Sequence, residues 1–303
     1  VNKVAINWLE QHYTHPFFPF LNYFDPHIPY SPPVPYNSCF SRGDEELIEN
    51  FNNPEGTIGV VKGQRRLMYA VLSQEHTLSE AERDTLVSLY DGEIRYLDYY
   101  LQRLFQTLKR LNVYDNSMIV ITSDHGESFG SHDIMTHGYS LYQEELKVPL
   151  IIKYPSSQSL KGIVEDPVSL VDILPTIVST LGFSLPEGVQ GKTMPGKGRP
   201  IIAESYNNWE KILLYGNRFN RDLRALYDGP FKYIWGSNGC ELYNIEDDPQ
   251  ELNNLIEEMP EHAREMQTLL DKWLNSFTPM ASSKFTKIDK TTEESLRALG
   301  YLP

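Results

Sequence analysis

The 303-residue chain carries a formal charge of −14 with 40% hydrophobic and 22% charged residues. It has the apolar material for a large buried core and lacks the cationic surface field that would gather a polyanion such as nucleic acid. Two cysteines, Cys39 and Cys240, exclude a disulfide framework and a Cys-x-x-Cys zinc pattern, leaving one bridge open.

No apolar run approaches the roughly 18 residues that a membrane-spanning helix needs, and no signal-peptide pattern opens the chain, whose first residue is Val1. Val4 to Leu9 has helical spacing. The apolar stretch Phe17 to Phe24 predicts a strand running into Asp25-Pro26-His27-Ile28-Pro29-Tyr30-Ser31-Pro32-Pro33, where the prolines forbid regular structure and leave His27 on a rigid loop. Residues 34 to 76 show no clear period and read as a long excursion with short helices.

Thr77 or Ser79 caps the next helix, with Glu80 and Glu82 in its first turn. From Leu86 to Leu108 apolar residues recur mostly at three- and four-residue steps, which predicts one long amphipathic helix to about Arg110. Met118 to Thr122 is short, β-branched and apolar on both faces, as a buried parallel strand is. A loop, a helix from Ser140 to Leu146 and a strand from Val148 to Tyr154 follow. Asp172, with Pro175 close behind and Gly182 at the far end, marks another helix.

Glycine and proline crowd residues 182 to 200, a boundary between units. Beyond it Ala225 to Tyr227, Phe231 to Trp235 and Glu241 to Ile245 form an antiparallel meander with turns at Asp228-Gly229-Pro230 and Ser237-Asn238-Gly239. A helix from Pro260 to Leu274 closes it. The fold class is therefore α/β, with a predominantly parallel or mixed central sheet flanked by helices over residues 1–197 and a small antiparallel α+β unit over 198–303.

The loop from Ser123 to Gly138 holds three of the eight histidines. Gly126-Glu127-Ser128-Phe129-Gly130 matches the G-x-S-x-G of a serine elbow, but Asp124 and His125 stand between strand and glycine, and the base would have to be the remote His262. Alternatively, Asp124 and His125 are metal ligands at the C-terminal end of a strand, where open α/β sheets place their ligands, with Gly126 letting the chain turn so that both converge. In isolation the pair also fits a helix cap beside a solvated imidazole.

Context separates these readings. Asp25 to Tyr30, Tyr90 to Asp98, Ser123-Asp124-His125-Gly126-Glu127, His137 to Leu150, Val171 to Thr176, Lys232 to Ile234, Glu241 to Tyr243 with Asp248 to Glu251, and Leu299 to Leu302 resemble, in this order, successive blocks of the sulfatases, within the alkaline-phosphatase-like superfamily. The resemblance implies that Asp124 and His125 ligate a divalent cation, usually calcium. It also implies that His27 and His137 are catalytic, contacting the sulfate or its bridging oxygen of an aryl or carbohydrate sulfate ester. His132 falls where relatives often carry a histidine. Glu144 and Glu145 could orient His137 or the loop but are read first as a solvated helix face, Asp172 as a cap, and Leu299 to Leu302 as a docking tail.

Sulfatases of this type convert a Cys or Ser in Cys/Ser-x-Pro-x-Arg to formylglycine, and no such motif occurs here; the paired aspartates of the first strand are absent too. The expectation is that the chain is N-terminally truncated, carries about half of the site and is inactive alone. Rivals are a phosphoester or phosphonate hydrolase or a phosphoglycerol transferase of the superfamily, and a pseudoenzyme that binds sulfated glycans through His27 and His137. The family is often exported or lysosomal, which leaves localisation open.

Overall fold

A computed structural model describes residues 1–40, 45–52, 63–158, 161–194, 196, 199–276, 289–290 and 292. Four helices come first: α1 (Asn2–His12), α2 (Glu45–Asn52), α3 (Gln64–Leu72) and α4 (Glu80–Arg110). Helix α4 starts where the sequence says: the Ser79 hydroxyl accepts from Glu82 N while the Glu82 carboxylate accepts from Ser79 N, a reciprocal cap. Lys109 and Arg110 end it, where cations complement the helix dipole.

The apolar stripe of α4 is buried at two places. Near its start Leu86 and Leu89 pack with Leu67, Val71, Tyr30 and Met135. Near its end Leu104 and Leu108 meet Leu9 of α1.

Strand β1 (Ile119–Thr122) follows, then a hairpin of β2 (Ser128–Phe129) and β3 (Met135–Thr136), helix α5 (Gln143–Leu146), strand β4 (Leu150–Lys153) and helix α6 (Ile173–Thr180). Strand β1 pairs antiparallel with β4, Ile121 opposite Ile151, which corrects the expected parallel strand. The pair is only partly covered, Ile151 being 59% exposed. Burial on both faces requires more strands beside a strand and helices over it, and among the described residues β4 is the only neighbour of β1.

Phe17 to Phe24 forms no strand either; it runs as irregular chain with Phe18 and Phe20 exposed, and among the described residues no strand pairs with it. Asp172 does not cap α6 with its side chain. Its carboxylate accepts from Ser169 N and Lys192 N and pairs with Arg199, tying the turn before α6 to a later segment.

Further along lies a four-stranded antiparallel sheet in the order β5 (Ile201–Ser205), β6 (Leu223–Asp228), β7 (Phe231–Gly236), β8 (Glu241–Asn244), with helix α7 (Trp209–Tyr215) between its first two strands. The meander is as expected, and β5 adds a fourth strand along β6. Alternation assigns the faces. Leu226, Tyr233 and Leu242 pack under helix α8 (Pro260–Leu274) through Met266 and Leu270. Leu223, Ala225, Ile234 and Tyr243 pack on Leu141, with Tyr142 and Leu146 beside them. Each fully buried apolar side chain contributes about 1.5–3 kcal/mol, so the sheet is a firm base for the segment after His137.

The α/β architecture with a C-terminal antiparallel sheet is thus the one expected. Cys39 and Cys240 are both free thiols, so the open possibility of a bridge is not realised. Residues 197 and 198, at the expected unit boundary, and the tail block Leu299 to Leu302 lie outside the described residues.

Candidate active site

His27 is placed by the proline-rich loop, which is fastened from below. The buried Gln64 side chain accepts from Tyr30 N at 2.6 Å and donates to Tyr30 O at 2.7 Å, and Glu93 of α4 accepts from Ser31 N at 2.8 Å. Burial raises the Glu93 carboxyl above the ordinary range. Phe24 stacks on the His27 ring at 4.5 Å.

Asp124 and His125 lie just past β1. The His125 Nδ1 is 2.8 Å from Gly126 O, so it must donate there, which leaves Nε2 as the lone-pair atom. That nitrogen is 3.6 Å from Asp124 Oδ1. Gly126 is required here: a Cβ on it would stand 2.0 Å from Glu144 O. Its N–H donates to Glu145 O at 2.7 Å, which fixes the turn onto α5.

His137 enters from the far arm of the β2–β3 hairpin. Its ring stacks on His125 at 3.6 Å and meets the His27 ring edge-on at 5.2 Å. The His137 Nδ1 lies 3.1 Å from Glu127 Oε1, a carboxylate only 4% exposed, and the buried Tyr30 phenol bonds to the same Glu127. Burial and Glu127 together push that phenol far above its usual range. The structure therefore brings His27, Asp124, His125 and His137 to one place from segments about 100 residues apart in sequence.

The two glutamates of α5 orient the loop rather than forming a solvated face. Glu145 is 4% exposed rather than solvated. Its carboxylate accepts from Gly138 N, Tyr139 N at 3.2 Å, Ser140 N at 2.9 Å and Ser140 Oγ at 2.7 Å, clamping the backbone after His137. Glu144 accepts from Ser128 Oγ at 2.7 Å. Ser128 is itself buried, so it is no serine nucleophile. The signal for Glu145 lay in the run Gly138-Tyr139-Ser140, three donors that a short helix five residues on can cap.

His132 stands apart. It stacks on Tyr142 at 3.7 Å and its Nε2 reaches Gln250 O at 3.1 Å, joining the loop to the segment after β8.

The donors partly suit a cation. Oxygen and nitrogen ligands at about 2.3–2.6 Å from a calcium-sized ion sit roughly 3.5 Å from each other, so Asp124 and His125 make one edge of such a shell. They do not complete it: among the described residues no group of three or more His, Cys, Asp or Glu is arranged to hold a metal.

A family model described as Sulfatase matches residues 2–183, and one described as N-sulphoglucosamine sulphohydrolase, C-terminal, matches residues 130–278. The chain is 29% identical to the multifunctional alkaline phosphatase superfamily protein PehA of Trinickia caryophylli, over 80% of this chain and 48% of that protein. It is 27% identical to an arylsulfatase of Clostridium perfringens, over 86% and 53%. The chain thus spans about half the length of these curated relatives. The fold is shared with the phosphonate monoester hydrolase of Agrobacterium radiobacter, with a TM-score of 0.70 and 23% identity over 94% of this chain and 62% of that one. With one family model covering more than half of its residues, the chain belongs to the sulfatase family.

Proposed function

We propose that this chain carries the cation edge and the leaving-group side of a sulfuric ester hydrolase site. The observation that supports the reading is the convergence of His27, His125 and His137, with Asp124 at the rim. Asp124 and His125 would hold a divalent cation, calcium by family resemblance. Bound there, the ion would supply positive charge for the sulfuryl oxygens.

His27 and His137 do the work that this chain's own atoms can do. The transition state of ester cleavage loads negative charge onto the sulfuryl oxygens and the bridging oxygen, and N–H donors fixed in advance stabilise that charge without reorganising. His137 is fixed by stacking on His125 and by Glu127, and His27 by Ile28 O and Phe24. A protonated imidazole in either place can pass its proton to the departing alkoxide. The nucleophile, formylglycine by family resemblance, would come from outside these 303 residues, which lack Cys/Ser-x-Pro-x-Arg. The match to a sulphoglucosamine sulphohydrolase model favours a carbohydrate sulfate over an aryl one. We also read the chain as two units, 1–197 and 198–303, a division supported by the sheet that begins at Ile201.

Titration of the 303-residue chain with inorganic sulfate, followed through the ring resonances of its histidines, tests the reading. Saturable shifts at His27 and His137, abolished at the remaining ring by His137→Ala, are expected. Unmoved rings, or shifts confined to His12, His15, His76 and His262, would sink it.

A further inference from the structure

Helix α5 braces the histidine cluster, yet nothing inside the helix keeps it in place. Its Glu145 carboxylate clamps Gly138 to Ser140 after His137, its Glu145 carbonyl accepts from Gly126 N after His125, and its Glu144 accepts from Ser128 Oγ of β2. The helix has only four residues, far below the length at which a helix persists by its own hydrogen bonds. Its first N–H groups have no partner within it, and Tyr142, at the cap position, gives them no side-chain acceptor.

The acceptor comes instead from 108 residues further along the chain. Glu251, 1% exposed, accepts from Gln143 N at 2.5 Å through Oε2, while its Oε1 lies 2.6 Å from the fully buried Lys232 ammonium. A negative charge at a helix N-terminus also complements the helix dipole. Tyr227 adds a second hold, its phenol donating to Gln143 Oε1 at 2.7 Å. Both Glu251 oxygens thus face a donor, a pattern that a carboxylate satisfies and an amide, with one acceptor oxygen, does not.

Stability does not account for this pair. Lys232 stands between Tyr227 and Tyr243 on the sheet face that meets Leu141, Tyr142 and Leu146. Apolar side chains of similar volume often hold such a place as well as a buried ion pair or better, because the pair gives up its hydration. Glu251 also has a left-handed backbone, φ 56°, which a residue with a side chain keeps only where its surroundings impose it. Desolvation and backbone strain therefore meet at the one residue whose carboxylate reaches α5.

We propose that Glu251, held by Lys232, is a positioning residue: its carboxylate fixes the N-terminus of α5 and thereby sets the stack of His125 on His137. It touches neither ring. The inference rests on the sulfatase reading for what the stacked rings do, which is to meet a sulfate, and on geometry alone for how they are held.

Two double variants of the 303-residue chain separate positioning from packing. Lys232→Met/Glu251→Gln lacks the ion pair, and its amide oxygen, with the lysine gone, can turn to Gln143 N. Lys232→Met/Glu251→Leu lacks the ion pair and the acceptor alike, at similar volume. Each is followed by the mutual ring-current shifts of His125 and His137, by hydrogen exchange at Leu226, Tyr233 and Leu242, and by titration with inorganic sulfate. The glutamine form should keep the ring-current shifts and bind sulfate within about twofold of the unmodified chain. The leucine form should lose those shifts and bind sulfate about tenfold more weakly, while its three sheet amides exchange within about threefold of their rates in the glutamine form.

A leucine form that keeps the stack would overturn the inference, as would a glutamine form that loses it equally. Fast exchange at all three sheet amides in the leucine form would do the same, since Glu251 would then be a part of the core and no more. If sulfate moves no ring of the unmodified chain, the sulfatase reading fails, and the ring-current shifts still decide the positioning role.

Discussion

At the scale of single residues, Glu145 shows how one buried carboxylate can set a loop that it does not belong to. It takes donors from three consecutive residues after His137, while its own carbonyl takes Gly126 N after His125, so both stacked imidazoles are referenced to one residue. Burial raises its carboxyl above the ordinary range, and the four donors offset only part of that. Removing it in Glu145→Ala strands three N–H groups, each costing about 1–3 kcal/mol when buried and unpaired. A loss of about 3 kcal/mol in denaturant unfolding is expected, together with loss of the mutual ring-current shifts of His125 and His137.

Lys232 poses a different test. Its ammonium is fully buried, 2.6 Å from Glu251, and burial outweighs that attraction, lowering its pKa from 10.5 to about 8. Between those two values the unfolded chain holds a proton that the folded chain has shed, so stability rises with pH across that window. The rise should be on the order of 2 kcal/mol between pH 8 and 10.5 relative to Lys232→Met, in which it vanishes. A flat difference between the two proteins would refute the assignment. Glu251→Ala, in contrast, leaves the charge uncompensated and also removes the acceptor of Gln143 N at the start of α5; such breaks cost about 3–5 kcal/mol.

At the scale of elements, the molecule is unevenly held. The sheet β5 to β8 has a helix on one face and Leu141, Tyr142 and Leu146 on the other, so its backbone groups are shielded. The pair β1–β4 has two strands and a partly open surface, although it carries Asp124 and His125 at its end. Local opening free energy follows buried contact. Hydrogen exchange should therefore protect Leu226, Tyr233 and Leu242 by at least about a hundredfold more than Val120 and Ile152. Equal protection would mean that β1–β4 is stabilised by something other than its visible packing.

At the scale of the whole molecule, the proposed function makes the histidine cluster one wall of a site. On the proposed reading Asp124 and His125 would supply two ligands, whereas calcium takes six to eight. Calorimetric titration of the 303-residue chain with calcium should give only weak binding, in the millimolar range typical of incomplete oxygen shells. The same preparation should not turn over 4-nitrophenyl sulfate, because the Cys/Ser-x-Pro-x-Arg motif that the proposed mechanism needs does not occur in these 303 residues. Turnover at a measurable rate would place the nucleophile within these residues and change the mechanism.

Much of this was legible in the order of residues. Period and caps foretold α4 and α8, turn residues foretold the meander, and the block order led to His27, Asp124, His125 and His137, because these are local or strictly ordered signals. The antiparallel pairing of β1 with β4 was not legible, since a short apolar run reads alike in either direction and its partner is set by distant chain. The burial of Glu145 was hidden for the same reason: a glutamate on a four-residue helix looks solvated until Leu141, Tyr142 and Leu146 beside it are seen pressed onto the C-terminal sheet. Chemical identity travels along the chain, whereas burial, the stacking of His125 on His137 and the pairing of Lys232 with Glu251 exist only once separate segments exclude water between them.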